Sequence, residues 1–235
     1  MLTTLYLNDT YLFQSSGIIM GHGSDEKGKY VLLNETIFYP QGGGQPSDQG
    51  VIETTDNSIP IHFVRQFEQE IRHYVPSDLD LENLKNITVN IKIDNSRRLL
   101  NARYHTAAHL LGNVVENMYP DLKAFKGHSF PGEAYVEFTG TSTPDNQNLT
   151  SNIIAAIKND LATTTFEMLP DEFEVKYYKL PYVVPSNKKF RAMQIGDFMP
   201  VPCGGTHITN TAEIGEFAIR KISHKGGHMK ISYCL

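Results

Sequence analysis

Two pairs of metal-seeking side chains constrain this chain more than anything else in it. His105 and His109 stand four apart in one segment, Cys203 and His207 four apart in another, and Cys203 follows His105 by 98 positions. Imidazole and thiolate are the ligands zinc prefers, and four of them make either a closed tetrahedral set or, with three engaged and one position open, a reactive one. A fold that uses them must bring two distant stretches of chain together. Taken alone, an H-x-x-x-H pair is more often two ordinary histidines than a site, and a free cysteine more often a small buried hydrophobe. The second pair shifts the balance, because Val201-Pro-Cys-Gly-Gly-Thr-His207 reads as a turn that lets a thiolate and an imidazole converge.

The surrounding sequence predicts an α+β protein in two parts: a small β-barrel-like domain over 1–94 and an α+β domain over 95–235, its helices on an antiparallel sheet. In the first part, Tyr30 to Leu33, Val51 to Thr55 and Ile87 to Ile93 read as strands, the last with strict apolar/polar alternation. Asp94, Asn95 and Ser96 offer N-cap chemistry before a helix from Arg97 to Tyr119 that Pro120 stops. A second helix is predicted over Leu149 to Ala162. Strands are predicted at Ala134–Thr139, Glu174–Leu180, Glu213–Ile222 and Met229–Tyr233. His105 and His109 then share one helix face, their Cβ atoms about 5–6 Å apart.

Several functions are disfavoured by what is missing. Position 106 is Thr, whereas a zinc peptidase helix carries Glu beside its first His. Pro202-Cys203 lacks the second cysteine of a nucleobase deaminase. Phe38-Tyr-Pro-Gln-Gly-Gly-Gly-Gln-Pro-Ser-Asp-Gln-Gly50 is neither a Walker A loop nor a dinucleotide fingerprint. Its glycines either serve a turn or let a ligand approach the backbone, with Gln45 as a two-way hydrogen-bonding group. No apolar run reaches membrane length, and Cys203 and Cys234 are the two cysteines, which fits a reduced, cytoplasmic setting. Charge is uneven. Residues 1–96 carry 6 Lys and Arg against 13 Asp and Glu, while 97–235 carry 15 against 13, so the half with the metal pairs suits a polyanion better.

Together His105-Thr-Ala-Ala-His-Leu-Leu111, Cys203-Gly-Gly-Thr-His207 and the Phe38–Gly50 segment resemble the editing domain of alanyl-tRNA synthetases and its free-standing relatives, the AlaX proteins of medium length. The resemblance runs from about residue 30 to the end, and three motifs in the same order make it specific. It implies a zinc-dependent hydrolase that removes serine, and also glycine, from mischarged tRNA(Ala). It implies His105, His109, Cys203 and His207 as zinc ligands, and a metal-bound or metal-oriented water as nucleophile with no protein base assigned. Gly43, Gly44, Gln45 and Thr206 are the candidates for the substrate pocket, where hydrogen bonds to the serine hydroxyl select the error that a small apolar pocket cannot reject. Lys188, Lys189, Arg220, Lys221 and Lys225, together with Lys123, Lys126 and Arg191, are candidate phosphate contacts. The rival readings are a threonyl-tRNA-type editing hydrolase, a zinc-stabilised RNA-binding module without catalysis, and a small-ester hydrolase.

Overall fold

The computed structural model describes residues 2–235 except Asp56 and Pro181, and describes Lys225 by its backbone alone. The chain divides into two compact units, 1–102 and 103–235. It is an α+β protein whose larger sheets are antiparallel, with three α-helices among the described residues.

Among its described residues the first unit holds nine strands: β1 (Thr3–Thr4), β2 (Gln14–Asp25), β3 (Gly28–Leu33), β4 (Glu35–Thr36), β5 (Gly50–Glu53), β6 (Ser58–Ile61), β7 (Phe63–Phe67), β8 (Glu70–Tyr74) and β9 (Thr88–Ile93). Seven form one sheet in the order β6-β5-β9-β2-β3-β8-β7; β1 and β4 pair in parallel beside it. The alternation read in Ile87–Ile93 is real, since Val89, Ile91 and Ile93 are buried between exposed or half-buried neighbours. The twelve residues of β2 serve two partners. Gln14–Ile18 pairs with β9, Ile19–Asp25 pairs with β3, and a bulge at Ile19/Gly21 bends the strand where it changes partner. The strand order has two free ends, β6 and β7, and no pairing joins them among the described residues. A closed barrel is therefore not what this sheet forms.

The Phe38–Gly50 segment has structural work to do in this unit. Gly43 (φ +53°) and Gly44 (φ +78°) are the two central residues of a tight turn closed by reciprocal Gly42–Gln45 backbone hydrogen bonds of 2.8 and 3.2 Å. Positive φ at both positions is the requirement of a type I′ hairpin turn, which glycine meets without cost. Gly50 is needed for another reason, because a Cβ there would lie 2.1 Å from the Lys92 carbonyl oxygen of β9. Between them Asp48, fully buried, accepts the Tyr39 N–H at 2.6 Å and takes both Nε and Nη2 of the fully buried Arg98. Arg98 also donates to the carbonyls of Thr10 and Ile37, and Arg97 Nε donates to Ser47 O at 2.9 Å.

His73 lies wholly inside this unit, with Nδ1 3.2 Å from Val31 O and Nε2 2.9 Å from the Thr36 hydroxyl. A neutral ring satisfies both partners, Nδ1–H donating and Nε2 accepting. Burial pushes its pKa down from 6.5 to about 4. The unfolded chain binds the proton first, so this contribution is complete above pH 6.5 and disappears as pH falls toward 4, to a total of about 3 kcal/mol. Urea unfolding at pH 7 and pH 4.5 checks it. The stability lost between the two should be smaller by about that amount in His73→Gln than in the wild type.

The second unit begins within α1 (Asn95–Met118), whose start is capped by Asp94 Oδ1 accepting the Arg97 N–H at 3.0 Å. It continues through β10 (Lys123–His128), β11 (Tyr135–Thr139), α2 (Asn146–Lys158), β12 (Thr163–Met168), α3 (Pro170–Lys176), β13 (Phe190–Ile195), β14 (Val201–Pro202), β15 (Ala218–Lys225) and β16 (His228–Cys234). Two antiparallel sheets result, β10-β11-β16-β15 and β12-β13-β14. The inner face of the larger sheet meets α1, where Tyr233 donates its hydroxyl to Tyr104 O at 2.7 Å, one residue before His105.

Three expectations change here. Glu174–Leu180 is not a strand: Pro170 at the first helical position, Asp171 and Glu172 in the first turn and Lys176 in the last make α3. The apparent alternation fails because Val175 is 91% exposed, while Phe173 and Tyr177, spaced four apart, carry the contact at 5.0 Å between rings. The second helix starts earlier, capped by Asp145 accepting from Asn148 N, and ends at Lys158 before Asp160 at φ +51°. Glu213–Ile222 is broken by a 3₁₀ turn over Thr211–Ile214 and by Gly215 at φ +76°, so the strand starts at Ala218.

Candidate metal centre

The second unit brings the two pairs together. His105 and His109 come from α1, Cys203 and His207 from the loop that follows β14, and one ligand atom of each lies within 4.8 Å of every other. Cys203 Sγ is 3.2 Å from His207 Nε2 and 3.6 Å from His105 Nε2. The three imidazole ring centroids lie 4.7 to 5.2 Å apart. For tetrahedral zinc with Zn–N near 2.0–2.1 Å and Zn–S near 2.3 Å, the sulfur and a nitrogen stand about 3.6 Å apart. The two sulfur–nitrogen separations, 3.2 and 3.6 Å, lie near that value.

The protonation chemistry fits too. Burial, with the neighbouring imidazoles and Arg191 adding to it, holds His105 and His207 well below the usual histidine range, and burial lowers His109 to about 4. All three rings are therefore neutral at neutral pH, with lone pairs to give. His109 Nε2 is buried without a hydrogen-bond partner, which is costly unless something else meets it. Burial pushes the Cys203 thiol up, against the lowering effects of the Gly205 N–H at 3.4 Å and of Arg191. A cation entering this set displaces the thiol proton, so its affinity rises with pH. The cluster can hold a metal ion, and its imidazole and thiol donors are consistent with zinc.

Two residues that support the loop were not assigned this role from sequence. Thr106, between the histidines and fully buried, places Oγ1 3.2 Å from His207 Nδ1 and accepts the Ile208 N–H at 3.3 Å. Its bond to Nδ1 leaves Nε2 turned to the cluster, the way a partner group orients a metal-binding imidazole. Arg191, a candidate phosphate contact, donates Nη1 to the carbonyls of Cys203 and Gly205, each at 2.9 Å, and its own carbonyl accepts the Cys203 N–H at 3.0 Å. Sequence held a signal for Thr106 in its position; Arg191 reaches the loop through sheet pairing that no spacing reveals. Gly204 is exposed and a Cβ there would meet nothing within 4 Å, so the loop does not need glycine at that point.

The other candidates lie in both units. Gln45 is fully buried in the first unit, and Thr206 fully buried in the second. Gly43 is exposed at the turn described above. Lys188, Lys189 and Lys221 are exposed, Arg220 donates to Gly132 O at 2.6 Å, and the Lys225 side chain lies outside the described residues. Lys123 pairs with Glu116 at 3.5 Å and Lys126 with Glu137 at 3.7 Å. Within the cluster, His109 and Cys203 are half-buried while His105 and His207 are buried.

Known proteins resemble the chain along most of its length. Residues 12–97 match the family described as tRNA synthetases class II (A), and residues 191–230 match the threonyl and alanyl tRNA synthetase second additional domain. The chain is 30% identical to the alanyl-tRNA editing protein AlaX-L of Pyrococcus horikoshii, over 97% of this chain and 56% of that protein. It is 29% identical to the alanyl-tRNA editing protein AlaX-M of Methanosarcina barkeri, over 96% of this chain and 95% of that one. It is 30% identical to the alanine–tRNA ligase of Methanobrevibacter smithii, over 84% of this chain and 23% of the ligase. The chain thus spans about half the length of the first of these relatives and under a quarter of the ligase.

Proposed function

Because the chain belongs to the family of alanyl-tRNA synthetase editing domains and their free-standing AlaX relatives, we propose that it hydrolyses the aminoacyl ester of mischarged tRNA(Ala), with serine as the main error removed and glycine as a second. In this reading residues 1–94 form the glycine-motif β domain and 95–235 the deacylase domain. The observation that supports it most is the convergence of donor atoms from His105, His109, Cys203 and His207, all within 4.8 Å of one another.

These four residues would hold zinc, which when bound supplies Lewis acidity to an ester carbonyl. The three neutral imidazoles and the Cys203 thiol provide the donor atoms, and the thiol gives up its proton as the cation enters. Thr106 fixes the His207 ring, and Arg191 holds the Cys203–Gly205 backbone, so the donors are aligned before any substrate arrives. In this reading the ester would approach past Gly204, which is exposed and has nothing within 4 Å of where a Cβ would stand. The carboxylate within the three motifs, Asp48, is fully buried and paired with Arg98, so no protein base is assigned.

The test is release of serine from Ser-tRNA(Ala), with Ala-tRNA(Ala) as the control that should be spared. A chelator should end hydrolysis while circular dichroism stays unchanged. Unfolding on chelation would instead mark the ion as structural and favour a zinc-stabilised RNA-binding module. Faster hydrolysis of Ser-tRNA(Thr) would favour the threonyl system. A role for Gly43, Gly44, Gln45 and Thr206 in reading the serine hydroxyl belongs to the same proposal. Gln45→Ala should slow serine release without changing zinc content, and an unchanged rate removes Gln45 from it.

A further inference from the structure

The four-stranded sheet β10-β11-β16-β15 covers α1 with one face only. Along β16, Met229, Ile231 and Tyr233 are buried, while His228, Lys230 and Ser232 alternate outward. Directly opposed residues of antiparallel strands share a face, so the register Lys230↔Glu137↔Lys126 and the register Lys221↔Ser232↔Tyr135↔His128 both lie on the outer side. That side is unusual for a solvated sheet face because it is built from rings and lysines together. His128 stacks on Phe130 at 4.3 Å and 6° and on Tyr135 at 5.2 Å and 27°. Lys230 Nζ sits 3.4 Å from the Tyr135 ring centroid, and Lys126 Nζ sits 5.8 Å from it. At the edge, the register of β10 slips between Ala124 and Lys126, leaving Phe125 without a partner on β11. Its ring stays 50% exposed and lies 4.8 Å from the exposed His228.

Flat rings held in water beside lysines are the means by which proteins bind unpaired nucleic acid: bases stack on aromatic faces and phosphates meet the cations. The nearby acids are Glu137, already paired with Lys126, and Glu133, 3.8 Å from His128. Lys126, Lys221 and Lys230 outnumber them, whereas the chain as a whole carries −5. We propose that this outer sheet face docks an unpaired segment of the RNA substrate, with bases stacked on Phe125 and on the His128–Tyr135 rings and phosphates against Lys126, Lys221 and Lys230. The proposal rests on the reading of the chain as acting on tRNA, and it locates binding residues outside the metal centre.

The experiment measures binding of a short labelled unpaired RNA and of a blunt RNA duplex by fluorescence anisotropy, as a function of salt. Phe125→Ala should weaken single-strand binding about tenfold, the loss of one stacked base, and leave duplex binding unchanged. Phe125→Tyr should retain it. Lys230→Gln should weaken it and reduce the salt slope by about one. Wild-type affinity in both Phe125→Ala and Lys230→Gln, or no binding of unpaired RNA by the wild type, overturns the docking face. Because binding is read apart from hydrolysis, the two proposals fail separately. Deacylation with unaltered RNA binding in the variants removes the docking face alone, and ring-dependent RNA binding without deacylation removes the deacylase reading alone.

Discussion

Replacing both His105 and His109 by Ala should abolish zinc retention and lower the rate of serine release from Ser-tRNA(Ala) by about a hundredfold or more, the loss typical when a group that stabilises a developing oxyanion is removed. Both rings come from one face of α1, and neither loop residue can replace them, since Cys203 and His207 supply only two donors. The fold should tolerate the double change better than most core truncations. His109 is only half-buried, its Nε2 has no partner in the protein, and α1 keeps Ala107, Leu110 and Leu111 in its buried face. A graded partner to this result comes from Thr106→Val, which keeps the shape but removes the oxygen beside His207 Nδ1. Loss of such an orienting bond typically costs 10–100-fold in metal affinity, so the variant should lose zinc at chelator concentrations the wild type survives. Zinc content by atomic emission, read alongside hydrolysis, separates the two effects. Full activity in the double variant without zinc would end the metal assignment.

The second large effect lies in the first unit. Arg98→Met should destabilise the chain by about 3–5 kcal/mol, because it strands the Asp48 carboxylate in a site from which water is excluded. It also leaves the Thr10 and Ile37 carbonyls without the guanidinium that meets them. Domains of ordinary stability hold only about 5–15 kcal/mol in total, so the loss is a large fraction. Urea unfolding followed by circular dichroism gives the number. Exchanging both partners, Arg98→Met with Asp48→Leu, should cost less than Arg98→Met alone, since no charge is then left buried. Equal or greater loss in the double variant would show that the ion pair is not what the Phe38–Gly50 segment is built around.

The clustering of the candidate metal residues was legible because their chemistry is stated in residue type and spacing, and a helix carries i and i+4 to one face whatever surrounds it. The turn role of Gly43 and Gly44 was half-legible: consecutive glycines announce freedom of φ, but only the Gly42–Gln45 hydrogen bonds tell turn from ligand cradle. The strand β2 was missed because Gly17, Gly21 and Gly23 interrupt its pattern and its partner changes midway. The helix α3 was misread because Glu174, Val175, Lys176 and Tyr177 imitate alternation while Pro170, Asp171 and Glu172, the helix-starting residues, lie just outside the window. The roles of Arg191 and of the outer sheet face depend on which strands lie side by side, and local pattern does not contain that information.

Zinc-edge X-ray absorption on the purified chain, with metal content measured in the same sample, bears most directly on the metal centre. The expected result is one zinc per chain, bound by one sulfur near 2.3 Å and by nitrogens near 2.0–2.1 Å, with the sulfur lost in Cys203→Ser. A chain that retains no zinc at neutral pH, or a coordination sphere without sulfur, would contradict it.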